Sequence, residues 1–412
     1  MLLEFRVRNF RSFRDEAVFS MIASSDDQFA NTHTTQTSLP KIPRALRTAA
    51  IYGANASGKS NLIKAIQFMQ LMILQSSQIK PDTENNLVPF RMRESWDGFP
   101  TLMEMTFILN GIRHQYGFEF NRKRINSEWL LVYEKSKPQV WFSRFFDENH
   151  KLYNYKFSTF FTGKKSLWES ATRKEVLFLT KAVENNNEQL KSIYHYLTSE
   201  IIVFPNGGRI SHEFSANFAE SESNAGRINS LLVDADTGIS SVAVRKQDGK
   251  RLHIDPSNNQ PQLRDVEIKI PHFTHSVGGD EYQFELADES VGTQILFNLA
   301  GPIIDILEKG RLLVVDELDS SLHPLLVQRI LNMFQSPETN PHGAQLIFST
   351  HDASLLDSHK MRRDQIWFTE KDNDHVSHLF PLTDFSPRKG EALEKNYLDG
   401  RYGGIPILDG LS

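Results

Sequence analysis

The segment Gly53-Ala-Asn-Ala-Ser-Gly-Lys-Ser60 has the residue types and spacing of a loop that wraps phosphates, G-x-x-x-x-G-K-[ST]. Glycines at the fixed positions let the backbone curl until successive N–H groups point at one anion. The lysine then supplies charge near the outer phosphates, and the serine hydroxyl suits Mg²⁺. Gly53, Ala54, Asn55, Ala56, Ser57, Gly58, Lys59, Ser60 and Asn61 are the candidate nucleotide-binding residues, with ATP and Mg²⁺ the expected cofactors.

Further candidates lie far downstream. The run RLLVVDELDSSLHP, Arg311 to Pro324, places Asp316 and Glu317 directly after an apolar run. Carboxylates at the end of a buried strand sit where open α/β sheets bind ligands. Asp316 is suited to hold Mg²⁺, and Glu317 to polarise an attacking water. The run AQLIFSTHD ends in Ser349, Thr350, His351 and Asp352, one helix-length gap later. His351 is thereby expected near the outermost phosphate. Finally, ESVGTQ reads as a helix start, in which Ser290, Gly292, Thr293 and Gln294 fit either an ordinary N-cap or a second phosphate contact.

The elements that must position these residues are an α/β set. Leu46 to Tyr52 is a short apolar run ending at the first glycine, and NLIKAIQFMQLMIL after Ser60 is apolar on nearly every face. Strand, loop and buried helix follow, with the helix dipole aimed at the loop. Leu312 to Val315 and the run before Ser349 read as strands of a parallel sheet buried on both faces. TLMEMTFILNGIRHQYGFEF alternates on both sides of Asn110-Gly111, a hairpin signal.

In that order, phosphate loop, S-x-G-T-Q helix start, DE strand and His strand, the chain resembles the ABC-class ATPases. It is closest to their soluble branch of SMC, RecF and OLD proteins. NFRSFRDE, DELDSSLHP, ESVGTQ, FSTHD and the ending LEKNYLDGRYGGIP look like those of stand-alone bacterial AAA-type ATPases encoded beside nucleases in antiphage systems, of the PARIS or RloA type. The resemblance covers about residues 1–150 and 265–405. It implies Asp316 as metal support, Glu317 as catalytic base and His351 as switch histidine. It also implies that Ser290 to Gln294 contact the γ-phosphate held by a second subunit, and that Asp319 belongs to the loop crossing that interface. The glutamine loop of the class falls on Gln70, Gln75, Gln78 or Gln115.

The expected architecture is an ABC-type head with a mixed central sheet, an antiparallel β subdomain and a helical insertion. Its divisions are an N-terminal lobe at 1–155, a mainly helical lid or partner-binding region at 156–265, and a C-terminal lobe at 266–412. KEVLFLTKAVENNNEQLKSIYHYL carries helical periodicity, FSANFAESESNAGR reads as a loop or helix start, and Asp248 to Gln262 as a turn and connection. No heptad persists, so no coiled-coil arm is expected.

Composition bounds the rest. The 412 residues include 29 Phe and no cysteine, which supports a sizeable core and a reducing compartment. The N-terminus lacks a signal-peptide core and no apolar run is long enough to cross a bilayer, so a cytoplasmic location is expected. A net charge of −5 disfavours a uniformly nucleic-acid-binding surface. Arg122 to Arg124, Lys164-Lys165, Lys360 to Arg363 and Arg388-Lys389 read as solvated faces, as do Glu391, Glu394, Asp399 and Asp409. About sixty residues follow His351, too few for a Toprim nuclease domain.

The expected function is an ATP-hydrolysing switch. It would work as homo-oligomers, ATP-sandwich dimers or a higher ring of them, that sense a phage trigger protein and restrain a neighbouring Toprim-like nuclease or toxin. The alternative is a RecF- or SMC-like ATPase that binds DNA.

Overall fold

In the computed structural model of the chain, residues 1–93, 98–135, 137–205, 211–233, 235, 238–254 and 261–406 are described. Asp409 lies outside them.

The central sheet has six strands. From edge to edge they are Ile201–Phe204, Leu312–Val315, Gln345–Ser349, Thr48–Gly53, Ile366–Lys371 and Ser377–Pro381. All neighbours pair in parallel except the last two. The three strands that end in candidate site residues are therefore adjacent, with the histidine strand in the middle. Their near-continuous apolar sequence follows from burial on both faces. Ala49, Ile51, Val314 and Ile347 enter one core, whereas Ala50, Tyr52, Val315 and Phe348 enter the other.

The first core lies under a seven-stranded antiparallel sheet. Its hairpin turns at Asn110 and Gly111, with φ of 52° and 75°, and pairs Leu109 with Ile112. Both central residues need positive φ in this two-residue turn, which is what Asn-Gly provides. Between the two sheets lies the helix Lys59–Gln75, which buries Leu62, Ile66, Met69 and Ile73. The sheet is tied down by a fully buried pair, Arg144 and Glu128, 2.9 Å apart. Glu128 also accepts the backbone N–H groups of Phe178 and Leu179, so one carboxylate joins strand, cation and helix start.

The second core is covered by the helices Val291–Lys309 and Pro324–Gln335. Pro302 lies inside the first of these and cannot donate to the carbonyl of Asn298. Ser215 Oγ replaces the missing donor at 3.1 Å and accepts the Gly301 N–H at 3.1 Å.

The region 156–265 is only partly helical. Helices Phe178–Glu184 and Glu188–Ser199 are not lid elements: Leu179, Leu190, Ile193 and Tyr196 are buried in the first core. Residues 213–218 and 222–233 are helical. Asp248-Gly249-Lys250, expected as a turn, instead lie within the strand Ile239–Ile254, which pairs with Pro261–Val277 to form a long antiparallel arm. Arg362, expected on a solvated face, is fully buried against Asp364. The longest helix among the described residues has 19 residues, and none is long and apolar enough to cross a membrane.

Candidate functional site

The strand Thr48–Gly53 ends in a loop whose shape requires its glycines. Gly53 and Gly58 have φ of 153° and 128°, and a Cβ on either would lie 2.5 Å from Thr369 or Ser377 oxygen atoms. Side chains from distant parts of the chain frame the loop. Ser57 Oγ meets Thr369 Oγ1 at 2.6 Å. Asn61 Nδ2 donates to Ser12 Oγ at 2.7 Å, and Ser377 Oγ lies 2.7 Å from Ser12 Oγ and 2.5 Å from the Ser57 carbonyl. A hydroxyl has one proton and a carbonyl can only accept. The relay therefore runs from the Asn61 amide through Ser12 and Ser377 to the loop backbone. NFRSFRDE thus contributes a serine that props the loop.

Lys59 opens the helix and is almost completely buried. Its ammonium donates to the carbonyls of Gly53 at 2.7 Å and Ala54 at 3.1 Å. Burial pulls its pKa down, while Glu317, Asp316 and Asp319 pull it up. Ser60 Oγ donates to Asp316 Oδ1 at 3.1 Å, which joins the phosphate loop to the acidic strand. Asp316 also accepts from Ser349 Oγ at 2.7 Å, and the same Ser349 Oγ accepts the Glu317 N–H at 2.7 Å. That clamp holds Glu317 in a left-handed backbone conformation, φ 53°, where the chain leaves the sheet. A non-glycine residue in that region marks stored strain of the kind found at functional sites.

Half-exposed Glu317 and His351 approach to 4.0 Å. The His351 N–H donates to Asp319 Oδ2 at 3.0 Å, which links the switch segment to the turn after the acidic strand. Burial, then Lys59, lowers the His351 pKa against the opposing pull of Asp319, Glu317 and Asp316, which favours the neutral imidazole.

The structure thus brings together Gly53 to Asn61, Asp316, Glu317, Asp319 and His351. The helix start stands apart from that group. Ser290 is the N-cap of Val291–Lys309, accepts the Thr293 N–H at 3.1 Å and contacts Thr293 Oγ1 at 2.8 Å. Gln294 donates to the Glu289 carbonyl, and Gly292 abuts the Ser321 carbonyl. Of the glutamines, Gln70 is bonded to the carbonyls of Thr198 and Ile201, and Gln115 accepts from Tyr133. Gln75 and Gln78 line a 560 Å³ cavity beside the helix Lys59–Gln75.

A phosphate chain and Mg²⁺ fit these residues. Close packing of Gly53 on Thr369 and of Gly58 on Ser377 fixes the loop's curl, and a hydroxyl beside a carboxylate is a hard-cation donor set. Among the described residues no group of three or more His, Cys, Asp or Glu forms a metal site by itself. Ser12, Thr369 and Ser377 were not singled out from sequence, because isolated hydroxyls at remote positions carry no spacing signal, and Ser349 was named at the end of its strand without a role.

A parallel-stranded sheet whose phosphate-loop strand and acidic strand flank one strand between them, backed by an antiparallel sheet and helices, defines the head of an AAA/ABC-type ATPase. The model of the family described as "AAA domain, putative AbiEii toxin, Type IV TA system" matches residues 49–357, and the chain belongs to that family. No curated protein matches it.

Proposed function

We propose that this chain binds ATP with Mg²⁺ and hydrolyses it, and that it acts as a nucleotide-dependent switch in abortive-infection defence. The single observation that carries the hydrolytic reading is the clamp on Asp316 and Glu317. One carboxylate is held by Ser60 and Ser349 beside the phosphate loop, and the next, half-exposed, lies 4.0 Å from His351. In this reading the loop N–H groups and Lys59 bind the phosphates, Ser60 and Asp316 hold the metal, and Glu317 orients and deprotonates the water. His351 donates a hydrogen bond to the terminal phosphate. Bound ATP supplies the transferable phosphoryl group.

Ser290, Gly292, Thr293 and Gln294 then act in trans, capping the nucleotide of a second copy and making a sandwich dimer. The match to a family described by a toxin and a toxin–antitoxin system supports a defence role, in which the assembly restrains a nuclease or toxin until a phage product arrives. The subfamily of PARIS or RloA type belongs to the same reading.

The test is Glu317→Gln, which should lower ATP turnover at least about a hundredfold with ATP affinity retained. Unchanged turnover would remove Glu317 from its role. Copurification from a native host should recover a nuclease-like partner; recovery of the ATPase alone, with or without ATP, counts against restraint of a toxin.

A further inference from the structure

Two oppositely charged surfaces flank the candidate half-sites. The strand Asp280–Glu285 is the outer edge of its three-stranded sheet and is exposed throughout. Tyr282 and Phe284, 50% and 42% exposed, line a 490 Å³ hollow with His275, Val277, Asp288 and Glu289. Residues 280–289 include Asp280, Glu281, Glu285, Asp288 and Glu289, with no lysine or arginine. They run directly into Ser290. An open edge strand bearing aromatic side chains is a surface that proteins ordinarily cover.

The second surface adjoins the phosphate loop. Arg388, Lys389, Lys395 and Arg401 line a 610 Å³ hollow. Glu391 also lines it and accepts from the Arg388 N–H at 2.7 Å, Asn396 at 2.6 Å and the Tyr402 hydroxyl at 3.0 Å, while Glu394 and Asp399 lie in the same segment, exposed. The four cations make no salt bridge with a described carboxylate. This rim is anchored to the nucleotide site: a Cβ on Gly404 would lie 3.5 Å from Gly53 Cα, and the rings of Tyr52 and Tyr397 are 5.7 Å apart.

The order of contacts along one subunit decides what meets what. Gly292 abuts Ser321, Asp319 in the same turn bonds His351, and the helix Leu393–Leu398 packs on the turn Ala353–Leu355 just after the switch. Signature, turn, switch and basic rim are thus linked by successive contacts within one subunit. In a two-fold sandwich the signature of one copy faces the phosphate loop of the other, which brings the strand beside Ser290 towards the rim beside that loop.

We propose that the acidic strand beside Ser290 docks on the Arg388–Arg401 rim of a second copy of this chain, clasping the nucleotide sandwich at both ends. The proposal rests on the sandwich reading above. A nucleic-acid backbone would suit the same cations but leaves the acidic, aromatic edge uncovered, so the second copy is the occupant both surfaces favour.

The test uses Glu317→Gln protein with ATP and Mg²⁺, measuring dimerisation by sedimentation velocity. Asp280→Lys with Glu281→Lys, or Lys389→Glu with Lys395→Glu, should each weaken the dimer about tenfold, more at low salt. Combining both pairs should restore it. A dimer that forms with an unmoved midpoint, or no recovery in the combination, overturns the clasp and leaves the sandwich standing; no ATP-dependent dimer in the parent overturns both. Loss of binding to a short DNA duplex in Lys389→Glu with Lys395→Glu, with dimerisation unmoved, assigns the rim to nucleic acid instead.

Discussion

The Ser349 hydroxyl stands 2.7 Å from Asp316 Oδ1 and serves two neighbours at once, because it also accepts the N–H of Glu317 at 2.7 Å. One side chain from the middle strand therefore sets the orientation of both carboxylates. Ser349→Ala should lower turnover about tenfold or more with nucleotide affinity little changed. It should also cost about 1–3 kcal/mol of stability, the penalty for a buried group left without its partner. Steady-state kinetics and urea unfolding check this; an unaltered rate would make the clamp purely structural.

His351 gives a pH signature. Its pKa lies below the ordinary 6.5 because of burial and then Lys59. Between that lowered value and 6.5 the unfolded chain binds more protons than the folded one, so the stability this residue contributes is full above pH 6.5 and is lost as the pH falls through the folded pKa. Turnover should stay level from neutral pH to below 6.5 and then fall, and His351→Gln should remove that acid limb. A limb at or above 6.5 that disappears in His351→Gln would contradict the lowering.

The pair Glu128–Arg144 is a structural prediction remote from the nucleotide. Glu128→Gln leaves a buried guanidinium without its counter-charge and weakens the caps on Phe178 and Leu179, at a cost of about 3–5 kcal/mol. The urea midpoint should fall while any ATP turnover of the remaining folded protein is unchanged.

Ser215→Ala removes the donor that compensates for Pro302 and the acceptor for Gly301. The loss should be about 1–3 kcal/mol. Hydrogen exchange should show faster opening in the helix Val291–Lys309 than in the phosphate-loop helix; uniform acceleration would mean that Ser215 does not act locally.

Much of the site was legible because its residues stand at the ends of runs buried on both faces, where an apolar stretch stops at a chemical residue. Gly53, Asp316 and His351 are all of this kind, and Asn110-Gly111 was readable because one turn type demands positive φ twice. The arm at Ile239–Ile254 was not. Its outer part is exposed on both faces, so polar residues such as Lys246, Gln247 and Asp248 follow one another without alternation and resemble a connection. Helix Glu188–Ser199 was periodic enough to find, but its destination in the first core depends on strands remote in the chain, such as Thr101–Leu109, whose Phe107 stacks on Tyr196. The serine relay from Ser12 to Ser377 likewise exists only after folding.

The middle position of Gln345–Ser349 acts as a spacer bar. The backbones carrying Gly53 and Asp316 are each one ladder rung from it, so they stand about 9.6 Å apart. Amide pairing, not side-chain choice, dictates that width. Substitutions lining the gap can alter its filling or polarity, but admitting a wider guest would take a different strand order.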